Sequence, residues 1–275
     1  MITLLFSIFV VLFSILYAFL FSSLSFALIN VLYWLLAFVL AIISTAALLA
    51  LFLFTYGRLQ RGDQSLNMRN HKVIMSFMRF LTRLLRLNFH ASGLQNIPED
   101  RAFIMVGNHQ TNIDIIATKP FVKTQPLIYI AKQSIFHWPI VGRLAGLIGN
   151  IPIKRMADRS AIEAIIKGIK HYKRGAPVMI YPEGKRSKSN QMIDFKAGAF
   201  KLAIKPQAPI IIVSIYNFAT LWKKWPLKRR DVYIHFHEPI EPTFYKDMKT
   251  TELSNYVKQT IQTKIDEFAK QDANK

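Results

Sequence analysis

Ala102-Phe103-Ile104-Met105-Val106-Gly107-Asn108-His109-Gln110-Thr111-Asn112-Ile113-Asp114 passes from an apolar run into a polar turn. Residues 102–106 read as a short buried strand. Apolar spacing resumes at Ile115 and Ile116, behind Thr111-Asn112, a polar pair suited to a helix start. A histidine and an aspartate five residues apart therefore flank a strand-to-helix turn. On one continuous helix five residues rotate a side chain by about 140°, so the two would diverge. They meet only if His109 lies in the turn and Asp114 reaches back from the first helical turn. That is where an active-site base belongs: an imidazole at a sheet edge, with a carboxylate behind it fixing tautomer and charge.

Outward from this turn, short apolar runs alternate with helical patterns, the mark of an α/β domain. Strands are predicted at 103–106, 127–130, 150–153, 178–181, 210–216 and 232–236. A helix is predicted after Arg155, with Ser160-Ala161-Ile162-Glu163 as a capping box and Gly175 as its stop. A second helix covers 196–205 and ends at Pro206; a third, 255–269, reads as polar and peripheral.

Toward the N-terminus the composition changes. Lys and Arg outnumber Asp and Glu by 36 to 16, a formal charge of +20, yet residues 1–56 carry no charged side chain. Basic excess points to an anionic partner, and a hydrophobic content of 52% favours a membrane over nucleic acid. The uncharged stretch is about twice what one helix needs to cross the hydrocarbon core. It reads as two helices, 2–21 and 26–54, parted by Ser22-Ser23-Leu24-Ser25. A cleaved signal peptide fits less well, since a basic leading region is missing and the apolar run is too long. Arg58, Arg61, Arg69 and Lys72 follow, an excess that puts this side in the cytoplasm. Residues 73–87 then form a basic amphipathic helix. It either lies along an anionic headgroup layer or packs on the core with a solvated basic face. The division expected is membrane helices at 1–57, a juxtamembrane helix at 58–90 and a cytoplasmic α/β domain at 91–275. With no cysteine in the chain, disulfides and thiolate chemistry are excluded.

Two basic turns close predicted strands. Tyr181-Pro182-Glu183-Gly184-Lys185-Arg186-Ser187 follows one, at the kind of strand end where open α/β sheets place ligands. There Gly184 permits close backbone approach, and Lys185 with Arg186 supplies charged donors for a phosphate. Ile151-Pro152-Ile153-Lys154-Arg155 closes another.

In this order the pieces resemble the glycerolipid acyltransferase family, in particular its 1-acyl-sn-glycerol-3-phosphate (lysophosphatidate) acyltransferases. The resemblance begins at Asn108-His109-x4-Asp114. It runs through Ala131-Lys132-Gln133-Ser134, Trp138-Pro139-Ile140-Val141-Gly142, Ile153-Lys154-Arg155 and the Tyr181–Ser187 turn to Phe195-Lys196-Ala197-Gly198-Ala199-Phe200 and Ala208-Pro209-Ile210-Ile211-Ile212. Three positions depart from the family's pattern: Lys185 replaces a threonine, Ile212 a second proline, and Pro152 is unusual. The resemblance implies a mixed β-sheet flanked by helices behind a two-helix membrane anchor. It implies that His109 is the general base, oriented by Asp114, that lets the sn-2 hydroxyl of 1-acyl-sn-glycerol-3-phosphate attack the thioester of acyl-CoA or acyl-carrier protein, giving phosphatidate. Arg155, Glu183, Gly184, Lys185 and Arg186 are implied around the acceptor phosphate, with Lys132 and Asn108 as further substrate contacts. No cofactor and no metal are implied, and an anionic bacterial inner membrane, with the site facing the cytoplasm, is the expected setting.

Other signals are weaker. His235 and His237 share one strand face, but no third ligand accompanies them. No P-loop, dinucleotide fingerprint or His-Glu-x-x-His motif is present. The competing readings are the same chemistry on another lysophospholipid, a lipid-binding protein without turnover, and a nucleic-acid binder. The last conflicts with the uncharged N-terminal stretch.

Overall fold

The computed structural model describes residues 2–21, 28–60, 62–154, 158–219 and 229–273. Seven strands form one sheet: β1 (Leu87–Ser92), β2 (Ile104–Gly107), β3 (Ile128–Lys132), β4 (Ile151–Ile153), β5 (Val178–Ile180), β6 (Ile210–Tyr216) and β7 (Arg230–Phe236). Their order is β1-β7-β6-β2-β5-β3-β4. From β6 to β4 neighbours are parallel, whereas β7 runs antiparallel to β6 and carries β1 parallel to itself. The sheet is therefore mixed, and the ends of β2, β5, β3, β4 and β6 share one edge. Pro152 sits on the edge strand β4, where a missing N–H costs no ladder bond on the open side.

Successive residues of β2 point to opposite faces, and each face has its own core. Ile104 and Val106 pack with the layer built from α6 (Asp158–Lys173), α7 (Lys201–Ile204) and α9 (Thr250–Ala273). Phe103 and Met105 pack on the other side with Ala117 of α4 (Ile115–Thr118), Phe218 and Phe236. A short α8 (Pro242–Tyr245) buries Tyr245 beneath the first layer.

α1 (Ile2–Phe21) and α2 (Leu28–Leu59) are long and apolar enough to cross a membrane. They pack side by side, with Tyr17 Oη 2.7 Å from Ser44 Oγ. The Ser22–Ser25 interruption lies outside the described residues. Both outer ends of the pair meet α3 (Met68–Leu84): Arg83 donates to Thr3 Oγ1 at 2.8 Å, and Tyr56 donates to Asn70 Oδ1 at 2.6 Å. Leu49 and Leu53 share an apolar cluster with Ile74, Met78, Ile113, Ile116 and, from α5 (Val141–Leu147), Leu144. Leu66, just beyond α2, instead joins Ile128 and Ala176 at the far edge of the sheet. α2 therefore enters from the edge where β2 ends, and the part of the helix pair away from α3 carries exposed apolar side chains such as Leu12, Ile15, Leu35 and Phe38.

Three expectations change. α3 begins before residue 73; of its two expected placements the core-packing one is found, with its apolar face against α1, α2, α4 and α5 and with Arg69, Lys72 and Arg79 exposed. The helix predicted as peripheral, α9, buries Leu253, Val257, Ile261, Ile265 and Phe268 in the core. Each such burial is worth about 1.5–3 kcal/mol. The capping box does not form. α6 already includes Asp158, Ser160 Oγ accepts the Lys154 N–H at 2.9 Å, and Glu163 pairs with Arg159.

Candidate active site

β2 ends at Gly107, which only glycine can occupy: a Cβ there would lie 2.5 Å from Val213 Cγ1 of the neighbouring strand. The chain then turns through Asn108 to Asp114 at the edge shared by the parallel strands. Asn108 does not point outward. Its amide donates to Ile215 O and accepts from Ile215 N, both at 2.8 Å, stitching the turn to β6.

Asp114 heads the short α4 but reaches back along the chain. Its Oδ2 accepts from Gln110 N at 2.6 Å, and its Oδ1 accepts from Thr111 N at 2.8 Å and Thr111 Oγ1 at 2.6 Å. With these donors in place, Oδ2 lies 2.8 Å from His109 Nδ1. The aspartate side chain is fully buried and the imidazole is 21% exposed. The carboxylate accepts only, so Nδ1 carries the proton and Nε2 presents its lone pair at the surface. Among the described residues Nε2 has no hydrogen-bond partner.

The turn after β5 wraps the same histidine. Tyr181 stacks on its imidazole, with ring centroids 4.5 Å apart and planes at 17°. Ser187 N–H donates to His109 O at 2.8 Å. Glu183, 3% exposed, turns inward. Its two carboxylate oxygens accept from His109 N at 2.8 Å and Ile193 N at 3.1 Å, holding together both ends of the 183–193 loop. Burial raises its carboxyl above the ordinary range, while those two N–H donors and the imidazole pull it back. Gly184 takes φ +67, the left-handed conformation that suits glycine. Beyond it Lys185 is exposed and Arg186 half-buried. Among the described residues neither pairs with a carboxylate.

His109, Asp114, Glu183, Gly184, Lys185 and Arg186 are thus gathered at one sheet edge. Lys132 is exposed at the end of β3, two strands from β2 on that edge. Arg155 lies outside the described residues. Glu183 and Asn108 serve backbone groups, which leaves the cations to meet an anion. Gln110 and Tyr181 were not foreseen. Gln110 Oε1 accepts from Phe218 N and Ala219 N, and its amide nitrogen donates to Ile215 O and Asn190 Oδ1. A polar residue beside the histidine was its only sequence signal. Among the described residues no cluster of metal-binding side chains occurs.

A family model described as Acyltransferase matches residues 88–216, which contain every described residue of this site. A 1-acyl-sn-glycerol-3-phosphate acyltransferase of Borreliella burgdorferi is 30% identical over 64% of this chain and 70% of its own. The chain belongs to this acyltransferase family. The match to a chloroplastic 1-acyl-sn-glycerol-3-phosphate acyltransferase of Brassica napus, 32% identical, covers 54% of this chain and spans less than half of that longer protein, 44%. The crystal structure of the 1-acyl-sn-glycerophosphate (LPA) acyltransferase PlsC of Thermotoga maritima superposes with a TM-score of 0.63 at 26% identity, covering 79% of this chain and 87% of that one. The acyltransferase fold expected from the motifs, a mixed sheet flanked by helices and preceded by two apolar helices, is the fold found.

Proposed function

We propose that this acyltransferase moves a fatty acyl chain from acyl-CoA or acyl-carrier protein to the sn-2 hydroxyl of 1-acyl-sn-glycerol-3-phosphate. The observation that carries the reading is the 2.8 Å Nδ1–Oδ2 contact of His109 and Asp114, beside a turn whose cations pair with no carboxylate among the described residues. Nε2 takes the hydroxyl proton as the oxygen attacks the thioester carbonyl carbon. Asp114 holds the resulting imidazolium. When the tetrahedral intermediate collapses, the carbon–sulfur bond breaks and the imidazolium returns its proton to the thiolate. The products are phosphatidate and the free thiol. Neither a covalent acyl-enzyme nor a cofactor is required.

Lys185 and Arg186, with Arg155, suit the acceptor's phosphate, and Lys132 suits the polar part of either substrate. Both acceptor and product are amphiphiles, so the site edge belongs where α1 and α2 emerge. Basic residues following α2 favour the cytoplasmic face of a bacterial inner membrane and attract anionic lipid to it. The test is acceptor profiling: purified protein in phosphatidylcholine vesicles, a labelled acyl thioester on CoA or carrier protein, and a panel of lysolipids. Labelled phosphatidate formed in preference to other products supports the reading. Equal or greater transfer to zwitterionic lysolipids overturns it.

A further inference from the structure

The geometry points to Lys196 as a further binding residue for the acceptor's phosphate, its side chain lying over Gly184. This rests on the acceptor proposed above and extends its anion site to a residue outside the turn.

Lys196 is fixed at both backbone ends. Its N–H donates to Pro182 O at 2.9 Å, and its carbonyl accepts from Ala199 N at 2.9 Å. The side chain folds back over Gly184. A Cβ built on that glycine would stand 3.2 Å from Lys196 Cε, 3.5 Å from Cδ and 3.6 Å from Nζ. The absence of a side chain at residue 184 is therefore what lets the lysine stem lie on the turn. A lysine stem normally carries its ammonium out into water; Lys196 is exposed too, but its stem and ammonium lie beside the glycine of the turn that encloses His109.

The loop's acids do not neutralise it. Both oxygens of Glu183 are engaged by the N–H groups of His109 and Ile193. Asp194, exposed, takes Lys258 Nζ at 2.6 Å. Among the described residues Lys196 has no ion pair, and neither do Lys185 and Arg186. Lys196 thus brings a cation from a second segment to Gly184, the residue next to Lys185 and Arg186. The hydroxyl that His109 must deprotonate and the phosphate of the same acceptor are joined through a glycerol carbon and a methylene, so both must lie close to this turn. Three donors suit the three free oxygens of a phosphate monoester, whereas a phosphodiester offers only two.

The test compares the full-length protein with Lys196→Met, which keeps the apolar stem over Gly184, Lys196→Arg, which keeps the charge, and Lys205→Met, which removes an exposed charge elsewhere. Inorganic phosphate binding is followed by calorimetry without any acyl donor. Acceptor kinetics are followed by thiol release. Lys196→Met should weaken phosphate binding and raise the lysophosphatidate KM by about tenfold, the loss of one charged hydrogen bond. Its kcat should stay within about twofold, with Lys196→Arg recovering most of the effect and Lys205→Met showing none. Unchanged phosphate binding in Lys196→Met, or no phosphate binding by the parent protein, overturns the inference. So does an equal loss with an uncharged monoacylglycerol acceptor, which would mark a structural effect. If the parent protein binds phosphate through Lys196 but transfers no acyl chain to lysophosphatidate, the acceptor proposal fails and the anion site stands.

Discussion

Two turns meet at the candidate site, and they handle charge in opposite ways. In the Asn108–Asp114 turn the single carboxylate is fully buried and ringed by donors from Gln110, Thr111 and His109. In the Gly184–Ser187 turn the cations face outward and, among the described residues, have no carboxylate. Glu183, the acid that stands between them in sequence, is engaged by the backbone N–H of His109 in the first turn and of Ile193 beyond the second. The His109–Asp114 pair is therefore held in place by the protein alone, whereas the proposed anion half would be completed by a ligand. Damage to the first turn should fall on kcat and damage to the second on KM.

The largest effect expected is from Asp114→Asn. The amide keeps the shape but forces an N–H toward one of the donors now converging on the carboxylate, and it no longer holds the imidazolium. Loss of base catalysis is worth about 10²–10⁴-fold in kcat; single-turnover thiol release would read it, with acceptor KM nearly unchanged. Arg186→Ala should do the reverse, raising the acceptor KM about 10- to 100-fold while kcat holds, since a charged hydrogen bond contributes about 1.5–3 kcal/mol. A fall in kcat of the same size would erase the contrast between the turns. Gly184→Ala is expected to do both mildly: a side chain at φ +67 costs about 1–2 kcal/mol and pushes on Lys196, which thermal unfolding and the acceptor KM would each register.

A buried lysine outside both turns sharpens the comparison further. Lys119 Nζ lies 2.8 Å from His71 Nδ1 and donates to Leu127 O at 2.5 Å, beneath α3. Burial lowers the lysine to about 7, and burial with the lysine's charge lowers His71 to about 3. Between about 3 and the ordinary 6.5 the unfolded chain binds the extra proton at His71, so stability should fall as pH drops through that window. Between about 7 and 10.5 the unfolded chain binds more at Lys119, so stability should rise with pH there. Melting temperature against pH would show both limbs, and Lys119→Met should flatten the alkaline one. Its charge is answered inside the fold, so its loss should leave the acceptor KM alone.

How legible this was in the sequence follows the range of the interactions. Alternating apolar runs located six of the strands to within a few residues, and the Gly107–Asp114 spacing located the His109–Asp114 contact, because strand period and turn chemistry are local. β1 was missed since the helical apolar spacing of α3 runs on to Leu87. The break between them is Arg86 at φ +53, a conformation no residue type there announces. α9 was misread because its composition is polar, although Leu253, Val257, Ile261 and Ile265 keep a spacing of four and fill one buried stripe. Tyr181 on His109, Glu183 on two backbone amides and Lys196 over Gly184 depend on β2 lying next to β5 and on the closure of a loop. Sequence supplied the residues in each case, and only the assembled sheet supplied the contacts.

The most direct test of the central claim is thiol release from an acyl thioester by purified protein, with and without 1-acyl-sn-glycerol-3-phosphate, in the parent chain and in His109→Ala. Acceptor-dependent release that falls by at least about 10²-fold in the variant, with folding intact by circular dichroism, is the result predicted for a general base. Release from His109→Ala at close to the parent rate would show that another group takes the proton, and would contradict the account.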